Sequence, residues 1–385
     1  MKYIPRDLGP TLERAAKAFP AVVLTGPRRA GKTTLLRKLF PAASYRLLED
    51  PAVLAAVRSD PRGFLDEIEL PVILDEIQNS PELLGFIRTR IDAAPRRRGQ
   101  WLLTGSQDFA LMRGVTESMA GRAAVLQLLP LSTSESSKVT SHRGGFAEVL
   151  ARPRAASLWF RSYIQTYIER DVRQISQIRD LATFRRFLTL IATRIGQLLN
   201  KTEFATSLGM SVPGVSEWLS ILETTGQIVL VPPFFENFGK RLVKTPKLYL
   251  MDSGLACHLL GIETERELAR STFLGAIFEG FVASEISKQQ INSGRRRELY
   301  CFRDLRGLEV DFVVPRRSGR LVLVEAKASK TVYPAAAKSL LSLAGNIGRG
   351  AESVVVHAGG GAATALAPGV RAMGVNALLE ALRGR

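Results

Sequence analysis

Two short segments constrain this chain more than any other part of it. The first is Gly26-Pro27-Arg28-Arg29-Ala30-Gly31-Lys32-Thr33, which fits the pattern GxxxxGK[ST]. An apolar run, Ala21–Thr25, precedes it, and a helical stretch, Lys32–Phe40, follows. Glycines let such a loop curl so that successive N–H groups face one point, and the positive end of the following helix favours an anion there. Gly26, Pro27, Arg28, Arg29, Ala30 and Gly31 are therefore expected to cradle the phosphates of ATP. Lys32 is expected to reach the β- and γ-phosphates, Thr33 to place its hydroxyl on magnesium, and Thr34 to lie beside it. The second segment is Val72-Ile73-Leu74-Asp75-Glu76, an apolar strand ending in two acids. Asp75 is placed to hold Mg2+, directly or through water, and Glu76 to orient and activate the attacking water. A pair of acids at a strand end is by itself an ordinary solvated terminus. The two motifs in this order point to ATP hydrolysis.

The surrounding pattern agrees. Between about residues 20 and 130, strands at Ala21–Thr25, Tyr45–Leu48, Val72–Leu74, Trp101–Thr104 and Ala123–Leu128 alternate with helical stretches such as Glu82–Ala93. Alternation of this kind implies a parallel sheet covered on both faces. The fourth strand runs into Thr104-Gly105-Ser106-Gln107, where Ser106 first, and Gln107 second, could sense the γ-phosphate. Arg122, just before the fifth strand, is positioned to reach a neighbouring copy's nucleotide and stabilise charge developing on the γ-phosphate. That role would make hydrolysis a property of an oligomer.

The length of 385 residues exceeds one ordinary core. We expect an ATPase core over 1–135, a helical lid and winged helix over 136–255, and a further α/β domain over 256–385. In the middle region, Thr202–Leu208, a turn at Gly209 and Val212–Thr224 read as helix-turn-helix. Strands at Ile228–Val231 and Lys247–Leu250 then flank a wing. Ser132–Ser137 and Ser141–Gly145 read as flexible linker. Beyond about 270 come a helix, Gly275–Gln290, and strands at Leu299–Arg303, Glu309–Val314, Leu321–Ala326 and Ser353–His357.

The last domain carries a second chemical signal, Glu309-Val310-Asp311-Phe312 followed on the next strand by Val324-Glu325-Ala326-Lys327. Glu325 and Lys327 are two apart on a strand and point the same way. Asp311 and Glu325 could share a magnesium ion, with Glu279 as an extra ligand and Lys327 activating a water against a phosphodiester. An exposed pair of strands with solvated charges would carry the same residues. Embedding the acids in apolar strands argues against that, because a bare carboxylate there is costly.

Taken together the chain resembles a widespread prokaryotic family of AAA+ ATPases with a C-terminal module long labelled a domain of unknown function. The resemblance rests on GPRRAGKTT at 26–34, VILDEIQ at 72–78, LLTGSQ at 102–107 and SMAGRAAVLQLLPLS at 118–132. It continues with YIERDV at 167–172, YLMDSGLACHLLG at 249–261, GAIFEGFVASEI at 275–286, EVDFVV at 309–314 and LVEAKAS at 323–329. It implies an α/β architecture with three parts: an N-terminal P-loop AAA+ parallel sheet, a central helical and winged-helix region, and a C-terminal PD-(D/E)XK nuclease-like α/β domain. It also implies a ring-shaped homo-oligomer, a hexamer.

Composition bears on partners. The formal charge of +17 and pI near 10.3 favour a polyanion, and nucleic acid is the commonest. The second helix of the helix-turn-helix offers Glu217 and Glu223 but no Lys or Arg, so base reading by it is not expected. Backbone contacts to DNA are instead expected from the wing, through Lys240, Arg241, Lys244 and Lys247. Arg295, Arg296, Arg297, Arg316 and Arg317 could add to them. With Cys257 and Cys301 the only cysteines, no disulfide framework or zinc site is legible. The N-terminus lacks the apolar core of a signal peptide, and no run approaches a membrane span, so a cytoplasmic protein is expected. The leading expectation is an ATP-driven DNA motor or remodeller with an attached Mg2+-dependent nuclease. The alternative is an ATP-dependent regulatory or defence switch whose C-terminal module binds DNA or a partner without cutting, and a third is a remodeller of proteins.

Overall fold

The computed structural model describes residues 3–105, 118–169, 180–234, 244–316, 319–347 and 350–383. The chain divides into two compact units. The first comprises Met1–Leu131, Thr224–Gly226 and Ile291–Arg295, and the second Ser132–Glu223, Gln227–Gln290 and Arg296–Arg385.

The first unit is built on strands β1 (Ala21–Thr25), β2 (Ser44–Leu47), β3 (Val72–Asp75), β4 (Trp101–Thr104) and β5 (Ala123–Gln127). They pair in the order β2-β3-β4-β1-β5, every pair parallel. The three central strands are buried at every position, as near-continuous apolar runs require when both faces are covered. Alternation along β1 splits the core. Ala21 and Val23 pack with residues of α3 (Pro51–Ser59), α4 (Pro61–Asp66) and α5 (Leu83–Ala93). Val22 and Leu24 pack with Leu12 and Ala16 of α1 (Gly9–Ala18) and Leu35 and Leu36 of α2 (Lys32–Leu39). α3 and α4 start on Asp50 and Asp60, whose carboxylates accept the first free backbone N–H groups, with proline in the first turn.

The second unit begins with α6 (Ala147–Ala151), α7 (Ala156–Tyr163), α8 (Leu181–Thr193), α9 (Lys201–Leu208) and α10 (Val212–Thr224). Phe184 and Phe187 of α8 meet Trp218 of α10 edge-on, and Phe187 also meets Phe204 of α9, which fixes the helix-turn-helix. Gly209, at φ 64°, closes α9. Strands β6 (Ile228–Val231) and β7 (Lys247–Leu250) pair antiparallel, so the helix-turn-helix and strand pair form the expected winged-helix order. Next come α11 (Ser253–Leu259), α12 (Glu265–Arg270) and α13 (Leu274–Asn292). Strands β8 (Tyr300–Arg303), β9 (Glu309–Pro315), β10 (Leu321–Lys327), β11 (Ala351–His357), β12 (Thr364–Ala367) and β13 (Val370–Met373) complete the chain with α14 (Lys338–Ile347) and α15 (Val375–Arg383). Their sheet is mixed, ordered β12-β13-β11-β10-β9-β8. Just past β6 the backbone joins this sheet: Cys301 N–H donates to the Pro232 carbonyl at 2.9 Å and Phe234 N–H to the Cys301 carbonyl at 2.7 Å.

The serine-rich stretches expected as linker are docked instead. Ser132 is buried, and its N–H donates to Glu135 Oε2 at 2.9 Å. Thr133 gives its N–H and hydroxyl to Glu285 Oε2 at 2.7 and 2.8 Å. Gly145 N–H donates to Asp252 Oδ2 at 2.7 Å. Glu285 and Asp252 are buried acids, and the polar segment supplies the donors that burial demands. Among the described residues no helix is long and apolar enough to cross a membrane.

Candidate functional site

The phosphate loop lies where β1 hands over to α2, at the carboxyl edge of the parallel sheet. Gly26 has φ 138°, and a Cβ there would fall 2.1 Å from the Leu128 carbonyl oxygen, so only glycine fits. The loop is clamped from a distance: the buried Arg6 guanidinium donates to the Ala30 carbonyl at 2.7 Å and the Leu129 carbonyl at 2.6 Å. Lys32 is buried, and its Nζ donates to the Gly26 and Pro27 carbonyls at 2.9 and 3.1 Å. Ala30 is buried, while Arg29 and Thr34 are exposed.

Asp75 closes β3 against this loop. The Thr33 hydroxyl lies 3.0 and 2.8 Å from its two carboxylate oxygens, and the Tyr45 hydroxyl donates to Oδ2 at 2.8 Å. The Thr104 hydroxyl donates to Oδ1 and accepts the Glu76 N–H at 3.3 Å. Burial, then the hydrogen bond to Asp75, hold the Tyr45 phenol well above its ordinary pKa, which keeps it a donor. Next in sequence, Glu76 adopts φ 60° and ψ 48°, which ends the extended backbone of β3. Among the described residues only Arg29 and Glu76 are non-glycine positions with positive φ, and both belong to this site. Glu76 Oε2 lies 3.6 Å from the Arg28 guanidinium and accepts from the Gln78 amide. A magnesium ion fits this donor set, with the Thr33 hydroxyl as ligand and Asp75 behind it. Ser106 and Gln107 lie outside the described residues.

Arg122 stands at the opposite edge of the sheet. Its carbonyl accepts the Ala21 N–H at 3.2 Å, so the whole of β1 separates it from the loop of its own chain. The guanidinium grips Asp92 of α5 through two bonds, at 2.6 and 2.9 Å. Just past the end of α5, Arg96, Arg97 and Arg98 are all exposed. Sequence reasoning passed over these three, and also over Tyr45, Thr104 and Arg6. The arginine run was visible as composition, whereas the other three act only through distant partners.

In the second unit, Asp311 on β9 and Glu325 on β10 come together, one step beyond the Phe312–Val324 pair of the antiparallel register. Asp311 Oδ2 accepts the Ala326 N–H at 2.9 Å, and Lys327 Nζ donates to Glu325 Oε1 at 2.6 Å. Glu279, on α13, joins them. Between these acids sits a residue expected elsewhere. Lys247 opens β7, is buried with its side chain 3% exposed, and does not face solvent as a wing contact for DNA would. Its Nζ lies 2.8 Å from Glu279, 2.7 Å from Glu309 and 3.4 Å from Asp311. Tyr249, two residues on and so on the same face of β7, donates its hydroxyl to the same Glu279 oxygen. Burial pulls the Lys247 pKa down, but Glu279, Asp311 and Glu309 outweigh it and hold the ammonium above its ordinary value. Burial, reinforced by Asp311, pushes the Glu279 and Glu325 carboxyls up to about 7.

The expected metal set of Glu279, Asp311 and Glu325 therefore does not fit a magnesium ion as folded. Mg2+ requires near-octahedral oxygen at close range and retains several waters. Here Asp311 spends one oxygen on the Ala326 N–H and the other faces Lys247, while Glu279 Oε1 takes both Lys247 and Tyr249. Among the described residues no three Asp, Glu, His or Cys side chains are arranged to hold a metal ion.

The other expected DNA contacts divide. Lys244 and Arg296 are exposed and Arg295 is half-buried. Arg297 is turned inward to Glu223 at 3.4 Å and the Leu230 carbonyl at 3.3 Å. Arg316 donates to the Ala381 carbonyl at 2.7 Å and pairs with Glu352 at 3.4 Å, so neither guanidinium is presented as a phosphate contact. Lys240, Arg241 and Arg317 lie outside the described residues, as does Arg170 of the run YIERDV at 167–172, a candidate nucleotide contact from the lid. In that run Glu169 is buried and paired with Arg185 at 2.7 Å.

Residues 18–137 match the AAA domain family, residues 137–266 a domain of unknown function (DUF8612), and residues 274–375 another (DUF4143). Over 344 residues the chain is 33% identical to the uncharacterized protein Rv2008c of Mycobacterium tuberculosis, spanning 88% of this chain and 76% of that one. The same figures hold for the uncharacterized protein Mb2031c of Mycobacterium bovis. Among solved structures, the Walker-type ATPase PABY2304 of Pyrococcus abyssi is 17% identical with a TM-score of 0.44, over 66% of this chain and 95% of that one. A signal transduction ATPase with numerous domains, PH0952 of Pyrococcus horikoshii, is 13% identical with a TM-score of 0.22, over 76% and 48%. Structural likeness at those scores is too slight to argue from. Identity sustained over most of the chain, with the AAA domain match falling on the residues that build the phosphate loop and Asp75, places the chain in the family of the two mycobacterial proteins, as an AAA-type ATPase.

Proposed function

We propose that the chain uses Mg2+ and ATP hydrolysis to do work on DNA, as a ring of several copies, and that its C-terminal module holds DNA or a partner without cutting. The observation that carries the hydrolytic part is the convergence of Thr33, Asp75 and Glu76 beside the phosphate loop. When bound, a magnesium ion would supply neutralisation of the phosphate charge. Thr33 and Asp75 would hold it, Lys32 would meet the phosphates, and Glu76 would orient the water. Arg122 lies a strand's length from its own chain's loop, so its service at a γ-phosphate requires a second copy.

DNA is supported by the +17 charge, by the exposed run Arg96–Arg97–Arg98 on the first unit and, separately, by the exposed Lys244 and Arg296 on the second. The cutting version, with Asp311 and Glu325 on magnesium and Lys327 activating water, meets Lys247 where a cation would have to sit. The non-cutting version is therefore preferred.

The test is ATP turnover and binding to linear, forked and four-way-junction DNA across a salt series. The parent chain is compared with Arg96→Ala/Arg97→Ala/Arg98→Ala. DNA is expected to raise turnover. The triple variant should bind more weakly and lose roughly 0.9 from the log–log salt slope for each phosphate contact removed. If no DNA is retained at moderate salt and none alters turnover, the DNA assignment fails while the ATPase assignment stands.

A further inference from the structure

We infer that Lys247 is the resident cation of the C-terminal carboxylate set: it stands where the motif Asp311…Glu325-x-Lys327 would place a metal, and it locks the winged-helix strand to the C-terminal sheet. The inference deepens the non-cutting reading above and rests on it.

The first line of support is position. The acids come from three elements, Glu279 from α13, Glu309 and Asp311 from β9, and Glu325 from β10. The ammonium comes from a fourth, β7, whose own pairing is with β6 and whose residue 247 also bridges Leu198 ahead of α9. One side chain thus crosses from the helix-turn-helix region into the acid cluster, within 3.4 Å of three carboxylates. The second line is burial. Lys247 is 3% exposed and Asp311 13%, and an ammonium is that deeply buried only when compensated. The third is the use of lone pairs. Both Asp311 oxygens and Glu279 Oε1 already accept from Lys247, Ala326 and Tyr249, so a hydrated divalent ion would have to displace protein donors, while Glu325 Oε2 is buried without a hydrogen-bond partner.

The arrangement makes the joint and the site mutually exclusive. With β7 in place, the ammonium takes the position between Glu279, Glu309 and Asp311 that a metal would need. A metal could enter only if Lys247 left, which would remove the ion pairs from β7 to β9 and α13 and leave Tyr249 as the contact to both.

The experiment measures Mn2+ binding to the full chain by calorimetry without nucleotide, on the parent, Asp311→Asn, Lys247→Met and Lys247→Met/Asp311→Asn. The parent and Asp311→Asn should give the same titration, because no Asp311-dependent site exists while Lys247 is present. Lys247→Met should gain one Mn2+ site at least tenfold tighter than anything in the parent, and the double variant should lose it. Asp311-dependent Mn2+ binding by the parent overturns the inference, and that comparison stands even if Lys247→Met does not fold. A folded Lys247→Met chain without the new site overturns it equally. DNA retention and ATP turnover of the parent report separately on the function proposed above.

Discussion

The two acidic sites of this protein look alike in sequence and differ in how their charge is held. Asp75 and Asp311 both lie on apolar β-strands and both approach a lysine-bearing element. Around Asp75 the described donors are hydroxyls, from Thr33, Tyr45 and Thr104. Hydroxyls orient a carboxylate without cancelling it, so its charge remains available to a metal–nucleotide complex. Around Asp311 the donors are the Ala326 N–H and an ammonium shared with Glu279 and Glu309, and the charge is spent inside the protein. A carboxylate at a strand end thus says little by itself. Whether its neighbours are neutral or cationic decides whether it can serve chemistry or only structure.

The contrast can be broken in three places. The largest effect is expected at Asp75: Asp75→Asn should lower ATP turnover by roughly 10²–10³-fold, the scale of losing one preorganised charge-stabilising group. Its urea midpoint should move little, because the amide oxygen keeps the hydroxyl bonds on one side and the hydroxyl on the other side can turn to accept from the new NH2 group. A large stability loss with turnover intact would show that Asp75 belongs with Asp311 as a structural acid. Tyr45→Phe should be milder. It removes one bond to a charged group, worth about 1.5 kcal/mol at the low end, and so about tenfold in turnover. Unchanged turnover would mean that Thr33 and Thr104 orient Asp75 unaided.

The smallest effect is in the pH dependence of stability. Glu279 and Glu325 keep their protons to about pH 7 when folded, against an ordinary value of 4.5. The folded chain therefore binds more protons than the unfolded one between those values. The contribution of these two groups to stability is complete below about 4.5 and declines as pH rises through about 7. Each group can add at most about 1.4 kcal/mol per pH unit to that slope. Asp311→Asn removes the repulsion that helps raise both, so its urea midpoint should vary less with pH over this window. An unchanged dependence would mean that burial alone raises them.

Much of the fold was legible because its signals are local. The sequence placed Trp101–Thr104, Val212–Thr224, Ile228–Val231 and Lys247–Leu250 with the boundaries the structure shows. Periodicity and a few glycines suffice for that. The phosphate loop and Asp75 were equally plain, since one short motif carries each. What escaped was set by contacts between residues far apart in the chain. Tyr45 and Thr104 matter only because β2 and β4 both pair with β3. Lys247 read as a wing base because it follows a basic stretch. Its place in the alternation Lys247-Leu248-Tyr249-Leu250 was a usable clue, since a residue sharing a strand face with a buried tyrosine is itself a candidate for burial. The serines at 132–137 read as solvated linker because polarity alone cannot reveal a buried acid awaiting a donor.

The Arg6 clamp has a practical meaning for where the ATPase can be divided. Its guanidinium holds the Ala30 and Leu129 carbonyls, one on the phosphate loop and one just beyond β5. A fragment beginning at residue 18, where the AAA domain match starts, would discard it and leave both carbonyls to find other donors. The smallest piece that keeps a preformed loop must therefore reach back past α1. The recognisable domain and the set of residues that hold its phosphate loop do not share an N-terminal boundary.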